Sequence, residues 1–142
     1  MFSILGWIIT DTASVGENWR RLRLAAWAAF YANVRCKGWK RLGTSRRLTL
    51  VDRVVKPLVL YKLQAFSPTP YWLKQLRKLQ KHLVSRALGN HRLAFETLMT
   101  YWQRVSLSVR EHLGNSVSDW AVDWIEATVS WDDHAFRDCE EQ

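Results

Sequence analysis

Apolar residues recur at helical spacing along most of this chain, and the clearest case is the segment from Pro70 to Leu88. Proline is favoured at the first position of a helix, and Gly89 follows where the helix would end. At ~100° per residue, this segment separates into an apolar arc and an opposite basic arc. The apolar arc contains Trp72, Leu73, Leu76, Leu79, Leu83 and Ala87, and the basic arc contains Lys74, Arg77, Lys78 and Lys81. The pattern predicts an amphipathic helix with one buried face.

A first helix is predicted earlier in the chain, from the residue after Ser14 to about residue 34. Ser14 and Glu17 have the spacing of a capping box, in which each side chain satisfies a backbone N–H of the first turn. The residues expected on its buried face are Trp19, Leu22, Ala26, Phe30 and Val34.

The second predicted helix covers residues 46–66, with Thr44 or Ser45 as its N-cap. Pro57 lies inside this segment. Proline lacks the backbone N–H and clashes with the preceding turn, so we expect a kink or a break there. The inner side of this helix is marked by Val51, Val54, Val55, Leu58 and Tyr61.

Two further helices are predicted beyond residue 92. The first begins at Phe95 and ends near Gly114. Its expected inner face consists of Phe95, Leu98, Met99, Trp102, Val105 and Val109. Ser116 and Asp119 then resemble a capping box and open a helix with Trp120, Trp124 and Ile125 inward. Residues 131–142 are acidic, and we expect them to fray.

The N-terminal run 2–10, FSILGWIIT, is short and rich in Ile and Trp, which is typical of a strand. An isolated strand is not stable, so a partner outside this chain is expected. The predicted fold class is therefore mainly α, a bundle of about five helices with a short N-terminal β-strand. A chain of 142 residues is long enough for one domain with a buried core.

Positive charge is concentrated in residues 20–92, which hold 18 Lys and Arg but a single acid, Asp52. Residues 93–142 hold 3 basic and 10 acidic residues, so the net charge of +8 combines a basic region, 1–92, with an acidic helical extension, 93–142. Self-repulsion opposes compaction, so folding alone does not require this polarity. A polyanionic partner explains it, and nucleic acid is the commonest polyanion.

The candidate binding residues are basic side chains on three segments, with one aromatic residue among them. A solvated helix face usually mixes acids with bases to gain i,i+4 pairs, whereas the helix over 70–88 has no acid, which favours phosphate contacts. In the basic loop, Trp39 either stacks on a base or fills the gap between two helices, and the sequence does not decide between these. The predicted nucleic-acid-binding residues are Arg20, Arg21, Arg23, Lys37, Trp39, Lys40, Arg41, Arg46, Arg47, Lys74, Arg77, Lys78 and Lys81.

No pattern for catalysis or for a cofactor occurs in the sequence. The chain has no P-loop, no Gly-rich dinucleotide loop and no HExxH motif, and its four histidines are isolated. An active site is therefore not expected, and no cofactor is predicted. The acidic run that includes Asp132, Asp133 and His134 is a candidate for a divalent metal, but an acidic terminal turn is the preferred interpretation and no metal is predicted.

The cysteines and the hydropathy pattern bear on location. Cys36 and Cys139 lie far apart with no paired spacing, which favours a reducing compartment. No apolar run approaches the ~18 residues of a membrane span. We therefore expect a nuclear or cytoplasmic protein that is neither secreted nor membrane-bound.

Four motifs occur in a fixed order along the chain. Phe2-x-x-Leu5-Gly6-x-x-Ile9 comes first, followed by the run 51–61, VDRVVKPLVLY. The run 72–89 fits LxxLQxxhhxRhhG, where h is apolar, through Leu76, Leu79, Gln80, Arg86 and Gly89. Trp131-x-x-His134-x-x-Arg137 comes last. In order and separation, these motifs resemble the last palm segment and the thumb of reverse transcriptases from non-LTR (LINE-like) retrotransposons.

The resemblance implies a template–primer clamp. Leu5 and Gly6 would lie in the strand next to the primer end, and the basic helices would line the groove for the duplex. The family's aromatic-x-Asp-Asp motif is not found, because Asp132 and Asp133 follow the thumb-like part. The resemblance thus implies a fragment without catalysis, whose partners are RNA and/or DNA of any sequence and the palm and fingers of a parent polymerase.

Two other functions remain open from the residues alone. The chain is alternatively a stand-alone helical protein-interaction module with no nucleic-acid role, which binds an acidic protein or simply folds on its own. Basic amphipathic helices also permit binding to anionic membranes. The acidic extension and the broad apolar stripes disfavour that third function, so no membrane partner is predicted.

Overall fold

The computed structural model describes residues 2–4, 7–9, 15–64, 66–113 and 117–140, with side chains only within residues 15–130. In these ranges the chain is mainly helical, which confirms the predicted fold class. Helices α1 to α6 span Val15–Val34, Thr44–Leu50, Lys56–Leu63, Pro70–Leu88, Leu98–His112 and Trp120–Glu140. A 3-10 turn at Trp39–Arg41 and a π-helical segment at Val51–Val55 complete the described helical elements. Because the π-helical segment joins α2 to α3, the described chain forms five long helices.

The N-terminal segment forms two strands rather than the single predicted one. Strand β1 spans Phe2–Ile4 and strand β2 spans Trp7–Ile9, and they pair antiparallel with Phe2 opposite Ile9. Each strand pairs with the other along one edge, so a strand partner for each is present within the chain. Leu5 and Gly6, predicted for the primer end, lie outside the described residues, as does the predicted cap Ser14.

The helix that contains Pro57 widens instead of breaking. Proline removes one backbone donor and crowds the carbonyl four residues earlier, and here the π-helical segment Val51–Val55 lies immediately before α3. The helix begins at Thr44, with Gly43 at the N-cap and no side-chain cap, so the prediction that Thr44 or Ser45 caps it is wrong. It ends at Leu63, three residues before the predicted end.

The wider turn also changes which residues of this helix face inward. The i→i+5 hydrogen bonds of a π-helix place more residues in each turn, so from Val51 onward the inner face advances in steps of four. The buried residues are Leu48, Val51, Val55, Val59 and Leu63, whereas the predicted Val54 and Tyr61 are exposed and Leu58 is half-buried.

One hydrophobic cluster takes residues from α1, the 3-10 turn, α2 to α6 and the π-helical segment. Trp19 and Phe30 of α1, Val105 of α5 and Trp120 of α6 all belong to it. The acidic extension, residues 93–142, therefore shares its core with the basic region, and the two regions differ in surface charge rather than in having separate cores.

Helix α4 matches its predicted bounds and its predicted end at Gly89, and Thr69 supplies an N-cap that the sequence analysis did not identify. The Thr69 hydroxyl accepts the N–H of Trp72 at 3.4 Å, and Gly89 ends the helix with φ at 71°, a conformation that favours glycine. The buried residues are Leu76, Leu79, Gln80, Leu83, Val84 and Ala87, and the predicted Trp72 and Leu73 are half-buried.

Helix α5 begins three residues later than predicted. The Thr97 hydroxyl accepts the N–H of Thr100 at 3.2 Å and so caps the helix at Leu98. Phe95 lies before this cap, with φ at 67° and a fully exposed side chain, so its prediction as an inner residue is wrong.

Only the C-terminal half of α5 is buried along the predicted inner stripe. Val105 and Val109 are buried, whereas Leu98, Met99 and Trp102 are exposed. Lys81 of α4 bonds Ser106 while Asn90 after α4 bonds Tyr101, so the two segments run antiparallel. The first turns of α5 lie beside the connection that follows α4, where the apolar stripe is not covered.

Helix α6 is capped by Asp119, whose carboxylate accepts the N–H of Ala121 at 3.0 Å. Ser116, the other half of the predicted capping box, lies outside the described residues. Trp120 and Trp124 are buried as predicted, but Ile125 is exposed. The backbone remains helical through Glu140, so the expected fraying from residue 131 is not observed up to that point.

A polar cluster, which we call the junction, fixes the start of α6 against α4 and the α2–α3 helix. Its members are Asp52, Lys56, Gln80, Ser118, Trp120 and Asp123. Gln80 is only 2% exposed. Its amide donates to the backbone oxygen of Ser118 at 2.6 Å and accepts the backbone N–H of Trp120 at 3.2 Å. A buried amide with both ends paired is consistent with the rule that buried polar groups are hydrogen-bonded.

Charged groups complete the junction. The Asp52 carboxylate accepts the indole N–H of Trp120 at 2.8 Å. The Lys56 ammonium donates to the hydroxyl of Ser118 at 2.8 Å and forms an ion pair with Asp123 at 2.7 Å. The one acid of residues 20–92 is thus engaged with α6.

Candidate nucleic-acid interface

Three of the predicted binding residues converge where α1 and α4 lie side by side. Arg23 projects from α1, and Lys78 and Lys81 project from α4; the charges of all three act on His82. Arg23 and Lys78 are exposed and form no ion pair with any described residue. This arrangement concentrates positive charge along the boundary between the two helices.

Burial holds the pKa of the His82 imidazole below its ordinary value, and the positive charges of Lys78, Lys81 and Arg23 lower that pKa further. A depressed pKa favours the neutral imidazole near pH 7. The contribution of Lys78, Lys81 and Arg23 to this shift reflects the positive charge around His82, and a bound anion would offset that contribution.

A groove lies beside this basic boundary, between α1, α4 and α5. It encloses about 230 Å³. Its walls are Trp27 of α1, Lys81, His82, Ser85 and Arg86 of α4, Asn90 after it, and Tyr101, Trp102 and Val105 of α5. We call it the aromatic groove. Three aromatic rings and two cations thus face one concave surface.

Trp102 is the most accessible indole of the groove, at 48% exposure. Trp27 is half-buried and stacks on Tyr31, with ring centroids 5.7 Å apart. Trp19, Trp39, Trp120 and Trp124 are core residues by contrast. Among the tryptophans with described side chains, Trp102 is the most exposed, and Trp27 and Trp72 are half-buried. Of these three, Trp27 and Trp102 line the groove together with Lys81 and Arg86.

The second group of predicted residues surrounds the 3-10 turn, and it includes the undecided Trp39. Trp39 is 8% exposed and packs edge-on against Phe30, with ring centroids 5.8 Å apart. This burial supports the alternative that Trp39 fills the gap between two helices. The prediction that Trp39 stacks on a base is therefore corrected. Arg47 lies over the Trp39 ring at 5.7 Å and donates to the backbone oxygen of Lys40 at 3.1 Å, which holds the turn in place.

The other predicted residues divide by their partners within the chain. Arg20 pairs with Glu17 at 2.7 Å, Arg77 lies 3.6 Å from Asp119, and Lys81 donates to the Ser106 hydroxyl at 2.9 Å. The predicted residues with exposed side chains, apart from those three, are Arg21, Arg23, Lys37, Lys40, Arg41, Arg46, Lys74 and Lys78.

The residues that sequence reasoning missed are those of the aromatic groove, above all Trp27, His82, Arg86, Tyr101 and Trp102. Trp27 follows Arg23 by four residues and so lies one turn along the same side of α1. That spacing was a usable signal. Nothing in the sequence indicated that Trp102 is exposed, because it falls on the apolar stripe of its own helix.

A second exposed feature is the connection between α4 and α5. It presents Leu93 and Phe95 to solvent, next to Leu98 and Met99 of α5. We call these four residues the apolar edge. Their exposure leaves four large apolar side chains within seven positions of the sequence without cover from the described residues.

Glu96 and Arg104 fix this connection. The guanidinium donates to both carboxylate oxygens, at 2.9 and 3.1 Å, and also to the backbone oxygen of His91 at 2.7 Å. The hydrogen bond from Arg104, then the one from the backbone N–H of Leu93, lowers the pKa of Glu96 from 4.5 to about 2. The apolar edge is therefore held by a bidentate ion pair rather than by packing.

The side chains of the acidic run with Asp132, Asp133 and His134 lie outside the described residues. Among the described residues, no group of three metal-ligating side chains is close enough to hold an ion. None of the described helices combines the length and the apolar character needed to cross a membrane.

Comparison of the chain with known protein families, with curated proteins and with solved structures finds no match.

Proposed function

We propose that this chain binds nucleic acid through backbone phosphates, without sequence preference. The observation that carries the proposal is the position of Asp52. The only acid of residues 20–92 accepts a hydrogen bond from Trp120 in the junction, so it is engaged inside the fold. The cations of α1 and α4 near the aromatic groove therefore have no acid of the same region to neutralise them, which favours a polyanion as their partner.

The finer proposal is that the chain corresponds to the thumb and downstream segment of a LINE-like reverse transcriptase. In that role it would grip a template–primer duplex, and the chemistry would belong to a palm that carries the catalytic aspartates. We assign no catalytic step and no cofactor to the chain itself. The proposed setting is the nucleus or the cytoplasm.

Fluorescence anisotropy with an RNA–DNA hybrid of random sequence tests the proposal. Binding should weaken linearly on a log–log plot of affinity against salt, with a slope equivalent to several phosphates. A double variant, Arg23→Glu with Lys78→Glu, should weaken binding at low salt far more than Arg53→Glu with Arg110→Glu, which makes the same change in net charge elsewhere. Equal losses in the two variants, or no binding by the folded chain at low salt, would contradict the proposal.

A second candidate function, a protein-interaction module, is favoured by the apolar edge. Its fitting partner is an acidic protein with an amphipathic helix, because Arg92 is exposed beside Leu93 and Phe95. Under this function, Leu93→Ser with Met99→Ser would abolish capture of the partner and leave hybrid binding unchanged. Under the nucleic-acid function, hybrid binding would instead depend on Arg23 and Lys78.

A further inference from the structure

We propose that the aromatic groove holds one unpaired nucleotide, whose base stacks on Trp102 and whose phosphates are bound by Arg86 and Lys81. This inference rests on the proposed function, and it adds a site for single-stranded nucleic acid that is separate from duplex binding. Neither the charge pattern nor the motifs of the sequence indicate such a site.

The walls of the aromatic groove have the chemistry of a site for single strands. Single strands are bound where a positively charged surface follows the backbone and aromatic side chains offer faces for the bases. The groove presents Trp27, Tyr101 and Trp102 together with Lys81 and Arg86. The groove thus combines cations from α4 with aromatic rings from α1 and α5.

The three aromatic rings of the groove differ in how much of each face is free to stack on a base. Trp27 already stacks on Tyr31, and Tyr101 has the guanidinium of Arg104 at 5.7 Å from its ring centroid. Trp102 touches Tyr101 at a tilt of 59° and is 48% exposed. Trp102 is therefore the ring with most area available to a base, and Trp27 also lines the groove.

The volume of the aromatic groove limits which ligand it can hold. Pockets for drug-sized ligands run to about 300–1,000 Å³, whereas this groove encloses about 230 Å³. It suits one planar ring rather than a whole cofactor. A base within a duplex has both faces covered by its neighbours, so only an unpaired base can enter and stack.

The cations of the aromatic groove have donors available for a phosphate. The Lys81 ammonium gives one of its three donors to Ser106, at 2.9 Å, and keeps two for a phosphate. Arg86 is exposed, forms no ion pair with the described part of the chain, and presents the planar fork that matches phosphate oxygens. Arg23 and Lys78 extend the positive surface beyond the groove, toward a neighbouring duplex.

The test compares two probes with the full chain, namely a blunt RNA–DNA hybrid and the same hybrid with a short single-stranded extension. The extension should tighten binding, and Trp102→Ala should remove most of that gain, a loss of about 5- to 100-fold. Tyr71→Ala is the matched control, because Tyr71 is 61% exposed on α4 and lies outside the groove. Circular dichroism checks that both variants remain helical.

A second pair of variants tests the phosphate contact independently of stacking. Arg86→Ala should lower the salt slope of binding to the extended probe by about one, whereas Arg110→Ala should leave it unchanged. If the extension gives no advantage, or if Trp102→Ala and Tyr71→Ala behave alike, the inference is overturned while duplex binding stands. If neither probe binds, the proposed function fails, and the inference fails with it.

Discussion

The junction and the apolar edge show opposite uses of charged residues in one small protein. In the junction, Asp52 accepts a hydrogen bond from Trp120 of α6, and Lys56 forms an ion pair with Asp123 of α6. The hydrogen bonds of Gln80 fix where α6 begins. At the apolar edge, the pair Glu96–Arg104 fixes a connection whose apolar side chains face solvent. The ion pair and hydrogen bonds of the junction support packing, whereas the ion pair at the apolar edge holds exposed side chains in place. The contrast indicates that the junction serves folding and that the edge and adjoining groove are available for binding.

The sharpest way to break this comparison is to remove the junction's buried amide. Gln80→Met keeps the side-chain volume but leaves the carbonyl of Ser118 and the N–H of Trp120 unpaired, so we expect a loss of about 2–4 kcal/mol in the free energy of unfolding. Urea unfolding followed by circular dichroism measures it. Gln75→Met, at a half-buried site on the same helix, should cost far less. Equal costs would show that the two hydrogen bonds of Gln80 do not matter for stability.

A smaller effect is expected from the ion pair at the edge. The pKa of Glu96 is lowered from 4.5 to about 2, so its contribution to stability is complete above pH 4.5 and is lost as the pH falls toward 2. Glu96→Gln should therefore reduce the thermal midpoint at pH 7, and the difference from the native chain should shrink between pH 4.5 and pH 2. A parallel series with Glu126→Gln provides the baseline for an exposed glutamate. A difference that stays constant across this pH window would contradict the assignment.

At Phe95, removal of an apolar side chain should raise the stability of the fold. Its φ of 67° is costly for a bulky residue but not for glycine, and its side chain is fully exposed. Phe95→Gly should raise the free energy of unfolding by up to about 1 kcal/mol, whereas Leu93→Gly, which has no positive φ, should lower it. Destabilisation by Phe95→Gly would mean that this side chain is needed for the fold rather than held outward.

The smallest expected effect is a pH dependence of binding. His82 faces Arg23 of α1 and Lys78 and Lys81 of its own helix, and Arg86 and Tyr101 line the same groove. A bound phosphate would offset these charges and raise the depressed pKa, so binding should take up a proton and tighten a few-fold as the pH falls from neutrality to about 5.5. His82→Gln should remove this dependence, whereas His112→Gln should keep it. The same pH profile in all three proteins would rule out a role for His82.

The sequence predicts the helices well where periodicity and caps agree, as at Pro70 and Gly89 of α4. It fails where geometry depends on distant parts of the chain. The π-helical segment turns Val54 outward and Val59 inward, because a wider turn rotates the faces of the helix that follows it. The apolar stripe of α5 is buried at Val105 and Val109 but exposed at Trp102. How much of the stripe is buried depends on how far α4 extends alongside α5.

The candidate site could be predicted only in part, for the same reason. Charge counting identifies Arg23, Lys78 and Lys81 because it needs no knowledge of the fold. The aromatic groove requires α1, α4 and α5 to be assembled, since Trp27 and Trp102 are 75 positions apart in the sequence. Trp39 shows the converse, because a tryptophan among basic residues proves to be a core residue.

The hydrogen bonds of the junction also have a consequence for the order of folding. Gln80 bonds residues 38 and 40 positions further on, and Asp52 bonds one 68 positions away. Contacts that close such long loops form late, after local helices. During synthesis, Asp52 and Lys56 leave the ribosome before Ser118, Trp120 and Asp123 do, so their side chains stay hydrated until those partners emerge. Docking of α6 is then the event that completes the hydrogen bonds of the junction.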